Sequence, residues 1–130
     1  MEDSFTQGIF HVTFWSLMKT WTLKFNKVNY DNFERLRKGI KSVETRAASP
    51  KYQNIEKGDT LVFVCGKEKF SKKIIKKYHF KSIDLLLKNI PLKKIMPVVK
   101  TKKEAKEKWY SYPGYKLKLE KFGIFAFKLN

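Results

Sequence analysis

The chain has 130 residues, 42% of them hydrophobic and eleven of them phenylalanine, which is enough for one packed domain and too apolar for a disordered one. No apolar run reaches the ~18 residues of a membrane span, and the single cysteine, Cys65, excludes an internal disulfide or a cysteine cluster for zinc and suits a reducing compartment; a cytoplasmic monomer with no membrane partner is expected. The formal charge of +17 is lopsided, with ten Lys/Arg against seven Asp/Glu in residues 1–65 and nineteen against five in residues 66–130, and such a field attracts nucleic acid. Only three of the 29 basic residues are Arg, the better bidentate reader of phosphates and guanines, so plain solvation of a Lys-rich surface stays open beside that reading.

Residues 1–17 stand apart as an N-terminal extension. Glu2 and Asp3 precede the mixed apolar stretch Ile9–Leu17, with neither the positive n-region nor the cleavage site of a signal peptide, and Met18 is an alternative start. The extension reads either as a flexible terminus or as a partner-binding arm anchored by Phe14 and Trp15, leaving residues 18–130 as the domain. Trp21–Phe25 alternates with Thr22 and Lys24 and predicts a first strand. Asp31, with Glu34 three residues on, predicts a helix cap; Phe33, Leu36 and Ile40 form its apolar stripe and Gly39 its stop. A charged strand, Lys41–Arg46, follows, then the loop Ala47–Asn54, the Gly58-Asp59 turn and the strand Thr60–Val64. Cys65–Lys69 reads as a hairpin into a strand over Phe70–Phe80, where the adjacent Ile74 and Ile75 break the alternation and predict a bulge. Ser82 caps a short helix over Ile83–Lys88, Pro91 and Pro97 bracket a poorly patterned connection, and Thr101 opens a helix over Lys102–Tyr110 with Lys103–Glu107 and Glu104–Lys108 at i,i+4. A Tyr-Pro-Gly-Tyr segment precedes the last strand, Phe122–Leu129.

Two groups of residues carry chemistry. Alternation puts Ser42, Glu44 and Arg46 on one strand face and Val43 and Thr45 on the other, with Lys41 at the strand entrance, where parity binds weakly. Lys41, Glu44 and Arg46 read either as a ligand site, with Glu44 accepting from an exocyclic amine, Arg46 holding a phosphate or carbonyl and Lys41 acting as base or polariser, or as an ion pair that braces the fold. The second group is Lys51 and Tyr52 with Tyr110, Tyr112 and Tyr115, aromatic faces among cations of the kind single-stranded nucleic acid stacks on, or else tyrosines packed over one end of the fold. Lysines 72, 73, 76 and 77 make a weaker patch, because alternate residues point different ways. His79, at a strand end, reads as a satisfied barrel histidine rather than a general base, and neither a metal cluster nor a phosphate-cradling Gly-rich loop is present, so no cofactor or metal is expected.

The run Gly39-x-Lys41-Ser42-Val43-Glu44-x-Arg46, then Ile55-x-x-Gly58-Asp59-x-Leu61-x-Phe63, together with His79–Ile83 and Gly123–Phe127, resembles the ASCH domain, a branch of the PUA-like superfamily. The resemblance spans roughly residues 20–129 and implies an α+β fold: a small, partly open PUA-like β-barrel of about five strands with two to three short helices. With the residue reading above it points to a binder of RNA, of other single-stranded nucleic acid, or of a nucleoside or nucleotide, with Lys41, Glu44, Arg46, Lys51, Tyr52, Tyr112 and Tyr115 as the candidate contact residues. The alternative it implies is an enzyme, a ribonuclease or an amidohydrolase of the N4-acetylcytidine type, with Lys41 and Glu44 as catalytic residues. Lys41 matches that subfamily's lysine; its threonine is Glu44 here, and no acidic match stands near Pro97–Val99.

Overall fold

The computed structural model describes residues 18–130; the reading of residues 1–17, and of Phe14 and Trp15 within them, lies outside the described residues. Among the described residues five strands, β1 (Thr20–Lys24), β2 (Val43–Ala47), β3 (Thr60–Cys65), β4 (Glu68–Phe80) and β5 (Ile124–Leu129), form one mixed sheet in the order β1-β3-β4-β5-β2. Only the β1–β3 pair among the described residues is parallel. Long β4 serves two neighbours: its first half pairs with β3 and its second with β5, and the pairing shifts between Ile74 and Lys76. The adjacent isoleucines mark that irregularity, since Ile74 is buried while Ile75 turns outward. The sheet curls into a half-barrel, an α+β fold consistent with a small open barrel.

The helices are α1 (Tyr30–Lys38), α2 (Ile83–Asn89), α3 (Leu92–Ile95), α4 (Lys102–Ser111) and α5 (Tyr115–Phe122). Two cores sit on opposite faces of the sheet. Phe33 and Leu36 of α1 pack inside the curl with Leu23, Leu61, Phe63, Ile74, Phe125 and Phe127, while α2 to α5 cover the other face with Leu86, Ile95, Trp109 and Leu119 against Val43, Ile124 and Ala126. Strand β5 lies between β4 and β2 and buries both its faces over Ile124–Phe127, which is why that stretch is continuously apolar before the exposed Lys128. Each fully buried Phe or Leu contributes about 1.5–3 kcal/mol, so these two clusters dominate stability.

Several boundaries move. Helix α1 starts at Tyr30 behind a 3-10 turn over Lys27–Asn29, so Asp31 lies in its first turn and is not the cap. Gly39 does end it, at φ 78°, with its N–H on the Leu36 carbonyl. Strand β2 begins at Val43, which leaves Lys41 and Ser42 in the approach. Ser82 and Thr101 cap α2 and α4 as expected, accepting from the Leu85 and Glu104 N–H groups. Neither i,i+4 pair on α4 closes; Lys106 instead meets Asp84 at 3.0 Å. The short helices α3 and α5 exceed the two or three expected. Lys116-Leu117-Lys118-Leu119 alternates like a strand, so α5 shows no helical stripe: Leu119 is buried and Leu117 exposed.

The Gly58-Asp59 turn is a three-donor hub. Asp59 accepts from the Lys19 N–H at 3.0 Å, the Trp21 indole at 2.8 Å and the Glu56 N–H at 2.9 Å, tying the start of β1 to that of β3. Burial pushes its carboxyl up, but those donors outweigh burial and hold it below the usual carboxylate range. Asp59→Ala is expected to cost about 1–3 kcal/mol. A depressed folded pKa contributes stability above the unfolded value of ~3.9 and loses it as pH falls through the folded one. Urea midpoints should therefore differ between wild type and variant near neutral pH and converge in acid; a constant gap would refute the carboxylate's role.

Candidate functional site

Strand β2 is an edge of the sheet, and its free side opens into a cleft of about 250 Å³. The backbone fixes which groups look out. Leu129 donates to the Ser42 carbonyl and Ala48 to that of Gly123, so even-numbered residues of β2 bond β5 and the N–H and C=O of Thr45 and Ala47 face the cleft. Two side chains cover the outward amides: Glu44 Oε1 accepts from the Thr45 N–H at 3.2 Å, and the Tyr115 hydroxyl accepts from the Ala47 N–H at 2.7 Å.

The floor holds Lys41, Glu44 and Arg46 together, with Lys41 only 6% exposed and Glu44 4%. Lys41 Nζ stands 3.2 Å from Glu44 Oε1; Arg46 Nε and Nη2 stand 3.3 and 3.1 Å from Oε2. Lys41 joins from its approach position because its backbone is pinned by the Arg35 carbonyl and the next amide by that of Lys94, at the end of α3. Burial pushes Glu44 up, yet the Lys41 and Arg46 charges outweigh it and keep the carboxyl below its usual range; Glu44 in turn holds Arg46 above its ordinary value. A carboxylate offers about four acceptor positions, and all are taken by the ammonium, the Thr45 amide and two guanidinium N–H groups. A ligand amine would have to displace one of these, so Glu44 is a strut that aims two cations.

Arg46 lies between two rings, 5.3 Å from the Phe25 centroid and 5.8 Å from that of Tyr52, and its Nη1 donates to the Tyr52 hydroxyl at 3.5 Å. The 3-10 turn Pro50–Tyr52 sets Tyr52 there. Lys51 does not line the cleft; it is exposed, its Nζ 5.5 Å from the centroid of the Tyr52 ring. Tyr112 and Tyr115 line the far wall, half-buried and edge-on to each other at 5.6 Å, packed on the helical core as well as facing the cleft. Burial pushes the Tyr115 phenol up to about 12 and, with the Glu44 charge, raises Tyr112 too. Tyr110 faces away under Lys116, and Lys77 is spent on the Gln53 carbonyl and Glu56. His79 Nε2 lies 2.9 Å from the Phe122 carbonyl, as a satisfied structural histidine would.

Local sequence gave no sign of other wall residues. Lys24, Phe25 and Asn29 arrive from the end of β1 and the turn after it; Met96, Lys108, Trp109 and Lys118 arrive from the helical side. Trp109 is fully buried and its indole donates to Thr45 Oγ1 at 3.3 Å, locking α4 onto the core face of β2. Lys24, Lys108 and Lys118 form no ion pair among the described residues. Among the described residues the cleft thus carries five cations against one carboxylate. Among the described residues there is no cluster of His, Cys, Asp and Glu able to hold a metal, and no helix long and apolar enough to cross a membrane.

No protein-family model matches the chain, and no curated protein matches it. Its fold is shared by solved structures. The crystal structure of hypothetical protein PH0355 aligns at TM-score 0.71 with 22% identity, covering 85% of this chain and 97% of that one. The NMR structure of protein PF0455 from Pyrococcus furiosus aligns at TM-score 0.65 with 20% identity, covering 85% and 96%. At these identities the likeness is one of fold.

Proposed function

We propose that this domain is an RNA-binding module of the ASCH type, taking RNA or a nucleotide derived from it into the cleft at the free edge of β2. The observation that carries this reading is the joining, in one cleft, of surplus positive charge and aromatic faces: Lys24, Lys108 and Lys118 without carboxylate partners among the described residues, Lys41 and Arg46 aimed by Glu44, and the rings of Tyr52 and Tyr112 beside them. Lysines suit phosphates, and aromatic faces suit unstacked bases at about 1–3 kcal/mol each. The cleft is below the ~300 Å³ at which drug-sized pockets begin, a size for one base or nucleotide rather than several. Buried, free Cys65 fits a cytoplasmic setting.

The test is binding of a fluorescent single-stranded RNA at two salt concentrations, with the same sample run on a gel. If about four phosphates are neutralised, a fourfold rise in salt should weaken binding roughly fiftyfold. Binding that ignores salt, or none at low salt, overturns the reading. Cleavage of the RNA that disappears in Lys41→Ala would make the protein a nuclease instead.

A further inference from the structure

Resting on that reading, the hydrogen-bonding groups of the cleft floor say which bases it accepts. Glu44, the one carboxylate, has its acceptor positions filled by Lys41, Thr45 and Arg46. What no described residue occupies along β2 is ordered. The Thr45 carbonyl points outward by the strand register. On one side of it, Lys41 shares Glu44 Oε1 with the Thr45 amide, and an ammonium has three protons, so donors remain. On the other side the Tyr115 oxygen accepts from the Ala47 N–H and gives its own proton to no described residue. From Lys41 to Tyr115 the edge therefore reads donor, acceptor, donor, with the outward Ala47 carbonyl next along the strand.

We infer that the cleft selects a nucleobase presenting the complementary imide edge, carbonyl–NH–carbonyl, as uracil does, and rejects cytosine, whose amino group and unprotonated ring nitrogen invert two of the three positions. Each ligand carbonyl meets Lys41 or Tyr115 and the ring N–H meets the Thr45 carbonyl. A mismatch leaves buried donors facing a donor and a buried carbonyl facing a lone pair, and such unpaired groups discriminate more strongly than apolar contacts do. Burial keeps the Tyr115 phenol protonated far above neutral pH, so its donor role is fixed.

Four ligands decide this with the intact chain near neutral pH: uridine and cytidine monophosphates, and oligouridine and oligocytidine of equal length. All four are pyrimidines, so size and stacking are matched. The uridine member of a pair should bind roughly tenfold tighter or more. A preference already present in the monophosphates marks a free nucleotide as ligand, and one confined to the strands marks RNA; both uphold the selection. Equal affinity, or preference for cytidine, overturns it and leaves the nucleic-acid reading standing; no binding of any ligand overturns both. Uridine monophosphate methylated at the ring nitrogen probes the Thr45 carbonyl without touching the protein. It should bind no better than the cytidine compound, and affinity equal to the unmethylated nucleotide would refute the contact. Tyr115→Phe should shrink the uridine preference roughly two- to tenfold, and an unchanged preference would refute its donor role.

Discussion

Replacing Glu44 with glutamine is expected to destabilise the domain by about 3 kcal/mol and to abolish ligand binding. The reason is the asymmetry of buried charge: removing one partner leaves the other ions without compensation, at about 3–5 kcal/mol. The lower figure fits here because the Arg46 side chain is 19% exposed and keeps some hydration. Lys41, 6% exposed with Glu44 as its ion-pair partner, has no such outlet. A well-packed apolar replacement of the whole set escapes that penalty, so Lys41→Met/Glu44→Met/Arg46→Met should regain most of the lost stability while still failing to bind. Urea unfolding of the three proteins checks this. A Glu44→Gln variant within about 1 kcal/mol of wild type would show that the triad is not the brace it forms in the structure.

Gly123→Ala is expected to be still more damaging, at roughly 4 kcal/mol or complete loss of the fold. Gly123 joins α5 to β5 at φ 80° and ψ −160°, a region open essentially to glycine alone. A Cβ there would overlap the Phe80 carbonyl oxygen and crowd His79 Nε2 at 3.1 Å. Neither can yield cheaply: Phe80 is paired with Ile124 in the sheet, and His79 lies against both the Phe122 carbonyl and the Phe125 ring. Gly66→Ala is the control. Gly66 also has positive φ, 61°, but a Cβ there meets nothing within 4 Å, so only the left-handed strain of about 1–2 kcal/mol applies. Thermal melts of the two variants separate the cases; equal losses would refute the role of the clash.

Much of the fold was legible because it rests on short-range rules. Alternation placed Val43 on the core face and Glu44 and Arg46 on the other, and the structure puts Val43 in the helical core and the charged pair on the cleft floor. Ser82 and Thr101 announced their helices because a cap is a bond between residues three apart. The signal failed where local pattern and tertiary environment disagree. The Leu117–Leu119 alternation imitates a strand, and α5 is helical because Tyr115 and Leu119 pack onto the helical core. Lys108 looked like the surface partner of Glu104, yet it faces the cleft.

By itself, then, the sequence determined the α+β class, the bulge at Ile74, the faces of β2 and the crowding of Lys41, Glu44 and Arg46, all set by periodicities of two and 3.6 or by turn and cap chemistry within a few residues. Only the tertiary structure decided that β2 is an edge strand and that its outward Thr45 carbonyl, which accepts from no described residue, stands beside Tyr115, whose hydroxyl takes the Ala47 N–H from 68 residues away. It also decided that Glu44 is a saturated strut and that Lys24, Lys108 and Lys118 share one cleft with it. Those facts depend on strand order and on which distant surfaces pack together, and no local periodicity encodes either.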